Sequence, residues 1–177
     1  MQRIDTKCMY KTYDDWPNIA RESYNKKYDK IDVKDIDHIV FAGMGGSGAI
    51  GDTISAILSK KKIHVTNVKG YLLPKTVDSK TLVIVTSVSG NTAEVMTILK
   101  DVKKTNAHVV GFSSGGFIEE YCKDNRVFFQ KISMIHSPRA SFTNFLYSIL
   151  NILEPILPIQ KNDILDSIKS LDEIRKN

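Results

Sequence analysis

The segment Thr81-Leu82-Val83-Ile84-Val85-Thr86-Ser87-Val88-Ser89-Gly90-Asn91-Thr92-Ala93-Glu94 reads as a strand, a tight loop and the first turn of a helix. Thr81 to Thr86 is β-branched and apolar on both faces. Such a run belongs at the centre of a parallel sheet that is covered on both sides. From Asn91 to Lys104, the residues Ala93, Val95, Met96, Ile98, Leu99 and Val102 recur at helical spacing. Between strand and helix, Ser87, Ser89, Gly90 and Thr92 place three hydroxyls and a glycine within six residues. Glycine lets the backbone approach a ligand closely, hydroxyls add donors, and the helix that follows offers free N–H groups and the positive end of its dipole. A capped helix alone, with Ser89 or Asn91 as N-cap and Glu94 closing a box, accounts for only one or two of these residues.

The same design occurs upstream. His38-Ile39-Val40-Phe41-Ala42-Gly43 is a short buried-strand pattern, and Gly43-Met44-Gly45-Gly46-Ser47-Gly48-Ala49-Ile50-Gly51-Asp52 follows it. Ile50, Ile54, Ile57 and Leu58 then form one stripe of a helix over Ser47 to Ser59. Two glycine-hydroxyl loops, roughly 40 residues apart and each between a strand and a helix, predict convergence on one anionic ligand.

Strands and helices alternate along the rest of the chain. Ile63 to Val68, Ala107 to Phe112 and Arg126 to Gln130 read as strands, and Tyr71 to Lys80 as a loop around Pro74. Ser113 to Gly116 is a turn before a short helix, Phe117 to Cys122. An N-terminal helix is expected over Tyr13 to Tyr28, capped by Asp14 or Asp15, with Pro17 in its first turn. Ala140 to Leu153 is a long apolar helix, part core and part partner contact, and Asp163 to Arg175 is the last helix. The alternation predicts an α/β fold: a parallel sheet of about five strands with helices on both faces. In such sheets ligands bind beyond the carboxyl ends of the strands, where both loops fall. The expected organisation is a single domain over 1–177: an N-terminal helical segment (1–35), an α/β core (36–155) and a C-terminal helix (156–177).

Composition excludes several classes. At 42% apolar and 25% charged residues the chain is globular rather than disordered. The net charge of +5 comes from scattered lysines. Lys60-Lys61-Lys62, the densest run, falls where a helix ends and complements its dipole. No interleaving of aromatic and basic residues points to nucleic acid. The positive balance suits phosphorylated ligands. Cys8 and Cys122 lack metal spacing. Met1 to Thr6 contains no apolar leader, and polar residues and prolines interrupt the apolar stretch Phe142 to Ile159. A cytoplasmic protein without membrane contact is expected.

Gly43-x-Gly45-x-x-Gly48 has the spacing of a dinucleotide fingerprint, which also requires an acidic residue at the end of the second strand. That strand ends Asn67-Val68-Lys69, and Asp52 lies too early. A Walker loop is excluded as well, because no Lys-Ser or Lys-Thr pair follows the glycines. One phosphate monoester remains the expected ligand.

With Asp15-Trp16-Pro17, Tyr71-Leu72-Leu73-Pro74, Ser114-Gly115-Gly116 and Pro138-Arg139-Ala140 added to the two loops, the chain resembles an SIS (sugar isomerase) domain. It is most similar to the amino-terminal half of the bifunctional phosphoglucose/phosphomannose isomerases of archaea and some bacteria. The resemblance implies a three-layer αβα domain of flavodoxin-like topology. It also implies an aldose–ketose isomerase of carbohydrate metabolism, interconverting glucose 6-phosphate or mannose 6-phosphate with fructose 6-phosphate through a cis-enediolate. Neither metal nor redox cofactor is implied. Gly45, Gly46 and Ser47 would line the sugar, Ser87, Ser89 and Thr92 would hold the phosphate, and Arg139 would act on the sugar oxygens. A guanidinium suits the negative charge of an enediolate; on sequence alone a surface ion pair explains Arg139 equally well.

Isomerisation also needs a base. In the resembled family the catalytic glutamate, histidine and lysine belong to a second SIS domain, and the histidine crosses a dimer. The expected partners are therefore a second SIS domain, in cis or in trans, and a second copy in a homodimer. Within this chain, Glu94 is expected to serve its helix end, His136 to be structural or solvated, His64 and His108 to be packed, and Asp52 to support its loop. Glu119 and Glu120 are expected on an exposed helix face. The alternative is a lone SIS module that senses a phosphosugar or an amino-sugar phosphate and regulates a partner.

Overall fold

The computed structural model describes residues 5–176. The leader reading at Met1 to Ile4 and the chain end at Asn177 lie outside the described residues. In chain order the elements are α1 (Met9–Asp14), α2 (Trp16–Asn25), β1 (His38–Ala42), α3 (Gly46–Leu58), β2 (His64–Val68), β3 (Thr81–Ser87), α4 (Ala93–Val102), β4 (His108–Ser113), α5 (Gly116–Asp124), β5 (Phe128–Lys131), α6 (Phe142–Ile152) and α7 (Lys161–Lys176).

The five strands form one parallel sheet in the order β2-β1-β3-β4-β5. All seven residues of β3 are buried, as expected of a central strand with apolar side chains on both faces. Leu82 and Ile84 join Ile39, Phe41, Val110 and Phe112 on one face. There they meet Ile50, Ile54 and Leu58 of α3, Phe145 and Ile149 of α6, and Ile164 and Ile168 of α7. Val83 and Val85 join Val40 and Ala42 on the other face, against Val95, Ile98 and Leu99 of α4 and Ile118 and Cys122 of α5. The three-layer αβα arrangement follows from this two-sided burial. Burial pushes the Cys122 thiol up to about 12, so it packs as an inert apolar group.

From β1 the chain crosses to β2 on one side, and from β3 it proceeds to β4 and β5 on the other. The direction of winding therefore reverses between β1 and β3. A crevice opens beyond the carboxyl ends of strands at such a switch point. The loops after β1 and β3 are the two glycine-hydroxyl segments.

The N-terminal helix differs from expectation. It is two helices, and the second stops at Asn25 because Lys26 is extended. Pro17 is the cause of the break: it has no N–H, and its ring would meet the carbonyl four residues back in a continuous helix. Asp15 is the N-cap of α2, but its carboxylate accepts from the Asn18 side chain (2.7 Å) rather than from a helix N–H. Helix α6 is more completely internal than expected, with only Phe142 and Leu146 half-buried. Its polar residues serve the interior: Asn144 accepts from Ser23 of α2 (2.8 Å), and Tyr147 bonds Ser167 of α7 (2.9 Å).

His64 and His108 lie in strands as read, but both are exposed: β2 is the edge strand, and β5 pairs with β4 only from Val110 onward, so each histidine lacks a strand on one side, whereas His38 is paired on both. The buried histidine is His38, whose ring lies 4.8 Å from that of His64. Both rings place Nε2 near Thr66 Oγ1, at 3.0 and 3.3 Å. Burial first, then the charge of His64, holds the His38 imidazole below the usual histidine range; the Thr76 backbone, Asp78 and Asp37 oppose this. The unfolded chain therefore binds the proton more readily than the folded one. Stability is complete above the ordinary histidine pKa and is lost as pH falls through it. Urea midpoints are expected to drop between about pH 7.5 and about pH 5.5, with a smaller drop in His38→Gln. An equal drop in the variant would place the proton elsewhere.

Candidate functional site

A cleft of about 330 Å3 lies at the switch point, lined by Met44, Gly45, Gly46, Ser47, Ser87, Val88, Ser89, Thr92, Pro138 and Arg139. All seven residues singled out from the sequence are in this set. Gly45, Gly46 and Ser47 come from the start of α3, Ser87 from the carboxyl end of β3, Ser89 and Thr92 from the loop between β3 and α4, and Arg139 from the segment before α6.

Three hydroxyls form one group. Ser87 Oγ is 2.7 Å from Thr92 Oγ1 and 3.4 Å from Ser89 Oγ. The Gly90 N–H donates to Ser87 Oγ (3.1 Å) and the Asn91 N–H to Ser89 Oγ (3.3 Å), which closes the turn. The N-cap of α4 is Thr92, and its side chain makes no capping bond. The N-cap of α3 is Gly45, at φ 55°, where glycine is favoured. Thus two helices begin at the cleft, and neither N-cap side chain covers its free N–H groups. A Cβ added at Gly45 or Gly46 would meet nothing within 4 Å, so the space in front of that turn is open. Such a start attracts an anion through its N–H groups and dipole.

Arg139 is the one charged residue of the lining, and it makes no ion pair with another described residue. Its segment is fixed from behind. Trp16 Nε1 donates to the Ala140 carbonyl (3.2 Å), and the buried Ser141 hydroxyl lies 2.8 Å from the Ser137 carbonyl. The lining contains no carboxylate and no imidazole. Glu94 sits in the first turn of α4, outside the lining. His136 places Nε2 3.0 Å from the Lys7 carbonyl oxygen and is not part of the lining. Asp52 bonds Asn67 and Lys69, at the end of β2, rather than its own loop. Glu119 is half-buried and pairs with Lys131 (3.0 Å), whereas Glu120 is exposed. Among the described residues, no three His, Cys, Asp or Glu side chains are grouped to hold a metal.

Sequence reasoning left out the support behind the second loop. The Val88 carbonyl accepts from the Ser114 N–H (3.0 Å) and hydroxyl (2.7 Å), and the Gly90 carbonyl accepts from the Ile118 N–H (3.1 Å). Asn91 does not cap α4. Its Oδ1 accepts from the Phe117 N–H (2.9 Å) and so caps α5. The available signal was the Ser-Gly-Gly turn after β4, which in a parallel sheet must lie beside the loop after β3.

Fold and cleft together define a doubly wound α/β domain with a cleft lined by glycines and hydroxyls at its switch point. The sequence profile of the SIS domain matches residues 33–149, and the chain belongs to that family. It is 32% identical over 153 residues to the "Bifunctional phosphoglucose/phosphomannose isomerase" of Caldicellulosiruptor bescii, covering 82% of this chain and 44% of the relative. It is 35% identical over 126 residues to the protein of that name from Thermoplasma volcanium, covering 71% and 40%. The chain thus spans less than half the length of these relatives. Among solved structures, the C-terminal domain of glucosamine-fructose-6-phosphate aminotransferase from Francisella tularensis shares the fold. Its TM-score is 0.65 at 18% identity, over 95% of this chain and 54% of that one. Among the described residues, no helix is long and apolar enough to cross a membrane.

Proposed function

We propose that the chain is the phosphosugar-binding domain of an aldose–ketose isomerase acting between glucose 6-phosphate or mannose 6-phosphate and fructose 6-phosphate. The observation that carries this reading is the meeting of Ser87, Ser89 and Thr92 with two helix starts that no side chain caps and one arginine without an ion pair to another described residue, in a single cleft. The phosphate monoester would sit among the hydroxyls and the first N–H groups of α4. The sugar would extend past Gly45, Gly46 and Ser47 toward Arg139. A base removes the proton from C2 of the aldose, the electron pair forms the enediolate, and a proton returns to C1. No electrons leave the substrate. Arg139 would stabilise the negative oxygen, and the base would come from outside this cleft, on a second SIS domain in cis or in trans, within a homodimer.

Ser89→Ala and Thr92→Ala are each expected to weaken fructose 6-phosphate binding by about 10- to 100-fold, the scale of one hydrogen bond to a charged group. Titration calorimetry measures this, and unchanged affinity in both variants would overturn the phosphate assignment. A second reading has its own observation: the lining contains no base. A phosphosugar sensor needs none. A coupled assay with and without the remaining length of the relatives separates the two. Turnover only when that length is supplied identifies the isomerase part, whereas saturable binding without turnover in either case favours the sensor.

A further inference from the structure

Lys69 stands where a dinucleotide fold would carry its ribose-binding acid, at the end of β2. It does not reach the cleft. Its ammonium lies 2.6 Å from Asp52 Oδ2 on α3, and Asn67 Nδ2 donates to the other oxygen of the same carboxylate (3.0 Å). Its aliphatic stem lies over Gly48, where an added Cβ would be 3.2 Å from Lys69 Cε. The neighbouring Gly43 N–H donates to the Val68 carbonyl (3.2 Å). Gly48, Gly51 and Asp52 share one face of α3, at the helical spacing that turns them together toward β2. A Cβ at Gly51 would be 2.9 Å from Phe41 Cβ and 3.1 Å from Asn67 Oδ1, so the helix lies as close to the sheet as glycine permits. Asn67 Oδ1 is buried and has no hydrogen-bond partner.

We infer that Lys69 and Asp52 are positioning residues: their ion pair, with Asn67, clamps the first turns of α3 to β2 and thereby sets the aim of the Gly45 and Gly46 N–H groups, the Ser47 N–H being taken by the Met44 carbonyl (3.1 Å). The inference rests on the proposed binding of a phosphosugar. The pair is half-exposed, so the effect is modest. Lys69→Met and Asp52→Asn are each expected to weaken fructose 6-phosphate binding by about three- to fivefold. Lys69→Arg is expected to restore most of the loss.

The sign in Asp52→Asn separates positioning from a general charge effect. Removing a negative charge near an anion site tightens binding if only the field matters, but weakens it if the clamp matters. The double variant Asp52→Asn/Lys69→Met leaves net charge unchanged and is expected to bind no better than either single variant. Tighter binding in Asp52→Asn, or wild-type affinity in the double variant, would overturn the inference. Amide hydrogen exchange of residues 45–49 without ligand gives an independent readout. Faster exchange in Lys69→Met is expected, and unchanged exchange overturns the clamp. If the wild type binds no fructose 6-phosphate, the functional reading falls, and the exchange measurement still decides the clamp.

Discussion

Gly90→Ala is expected to lower the unfolding free energy by roughly 2–5 kcal/mol and to remove ligand binding at the Ser87–Thr92 loop. Two penalties add. Gly90 has φ +73°, in the left-handed region where a side chain costs about 1–2 kcal/mol. The added carbon would also lie 1.7 Å from the Gly115 carbonyl oxygen, which is backbone and cannot turn aside. Relief requires the loops after β3 and β4 to separate. That movement breaks the bonds from Ser114 to Val88 and from Ile118 to Gly90. Ser87, Ser89 and Thr92 then lose their common geometry. Chemical denaturation measures the first effect and fructose 6-phosphate titration the second. Gly70→Ala is the control: nothing lies within 4 Å of its added carbon, and a change under about 1 kcal/mol is expected. Near-wild-type stability in Gly90→Ala would mean that the two loops do not lean on each other as described.

Arg139→Met is expected to reduce turnover by about 100- to 1,000-fold in an assembly that includes the rest of the relatives' length, the scale of removing one stabiliser of a developing oxyanion. Affinity for fructose 6-phosphate should fall by less than about tenfold, because the phosphate hydroxyls and helix starts remain. The reason lies in the timing of charge. The ground-state sugar is neutral at C1 and C2, and the enediolate is not. A cation that makes no ion pair with another described residue is poised for the later charge. Steady-state kinetics separates the cases: loss in kcat and kcat/KM together supports transition-state stabilisation, and a rise in KM alone would make Arg139 an ordinary binding residue. Arg139→Lys should recover only part of the rate, because a point charge lacks the planar fork.

Much of the fold was legible because its signals are local. The period-two and continuous apolar runs at His38–Ala42, Thr81–Thr86 and Ala107–Phe112 marked strands, and the 3.6-residue stripes on α3 and α4 marked their helices. At the N-terminus Asp15 as cap and Pro17 in the first turn were legible, but the short helix Met9–Asp14 before them and the stop at Asn25 were not, because six residues of mixed character carry no clear period and Lys26 offers no breaker signal. His64 and His108 were misplaced as packed because a strand pattern does not tell where a strand meets the rim of its sheet. The true buried histidine, His38, looks the same in sequence.

The cleft divides in the same way. By itself the sequence determined the two loop types, since glycine and hydroxyl content at a strand–helix junction dictates free N–H groups and close approach wherever the chain goes. The tertiary structure decided what those loops face. The order β2-β1-β3-β4-β5 sets β1 beside β3, so residues about forty positions apart line one cavity, and the segment leading into α6 brings Arg139 to the same mouth. It also gave Asn91 to α5 and Asp52 to Lys69, pairings across 26 and 17 positions. Short-range periodicity reports which face of an element is apolar. It contains no term for which elements become neighbours, and that choice is made by the burial of both sheet faces at once.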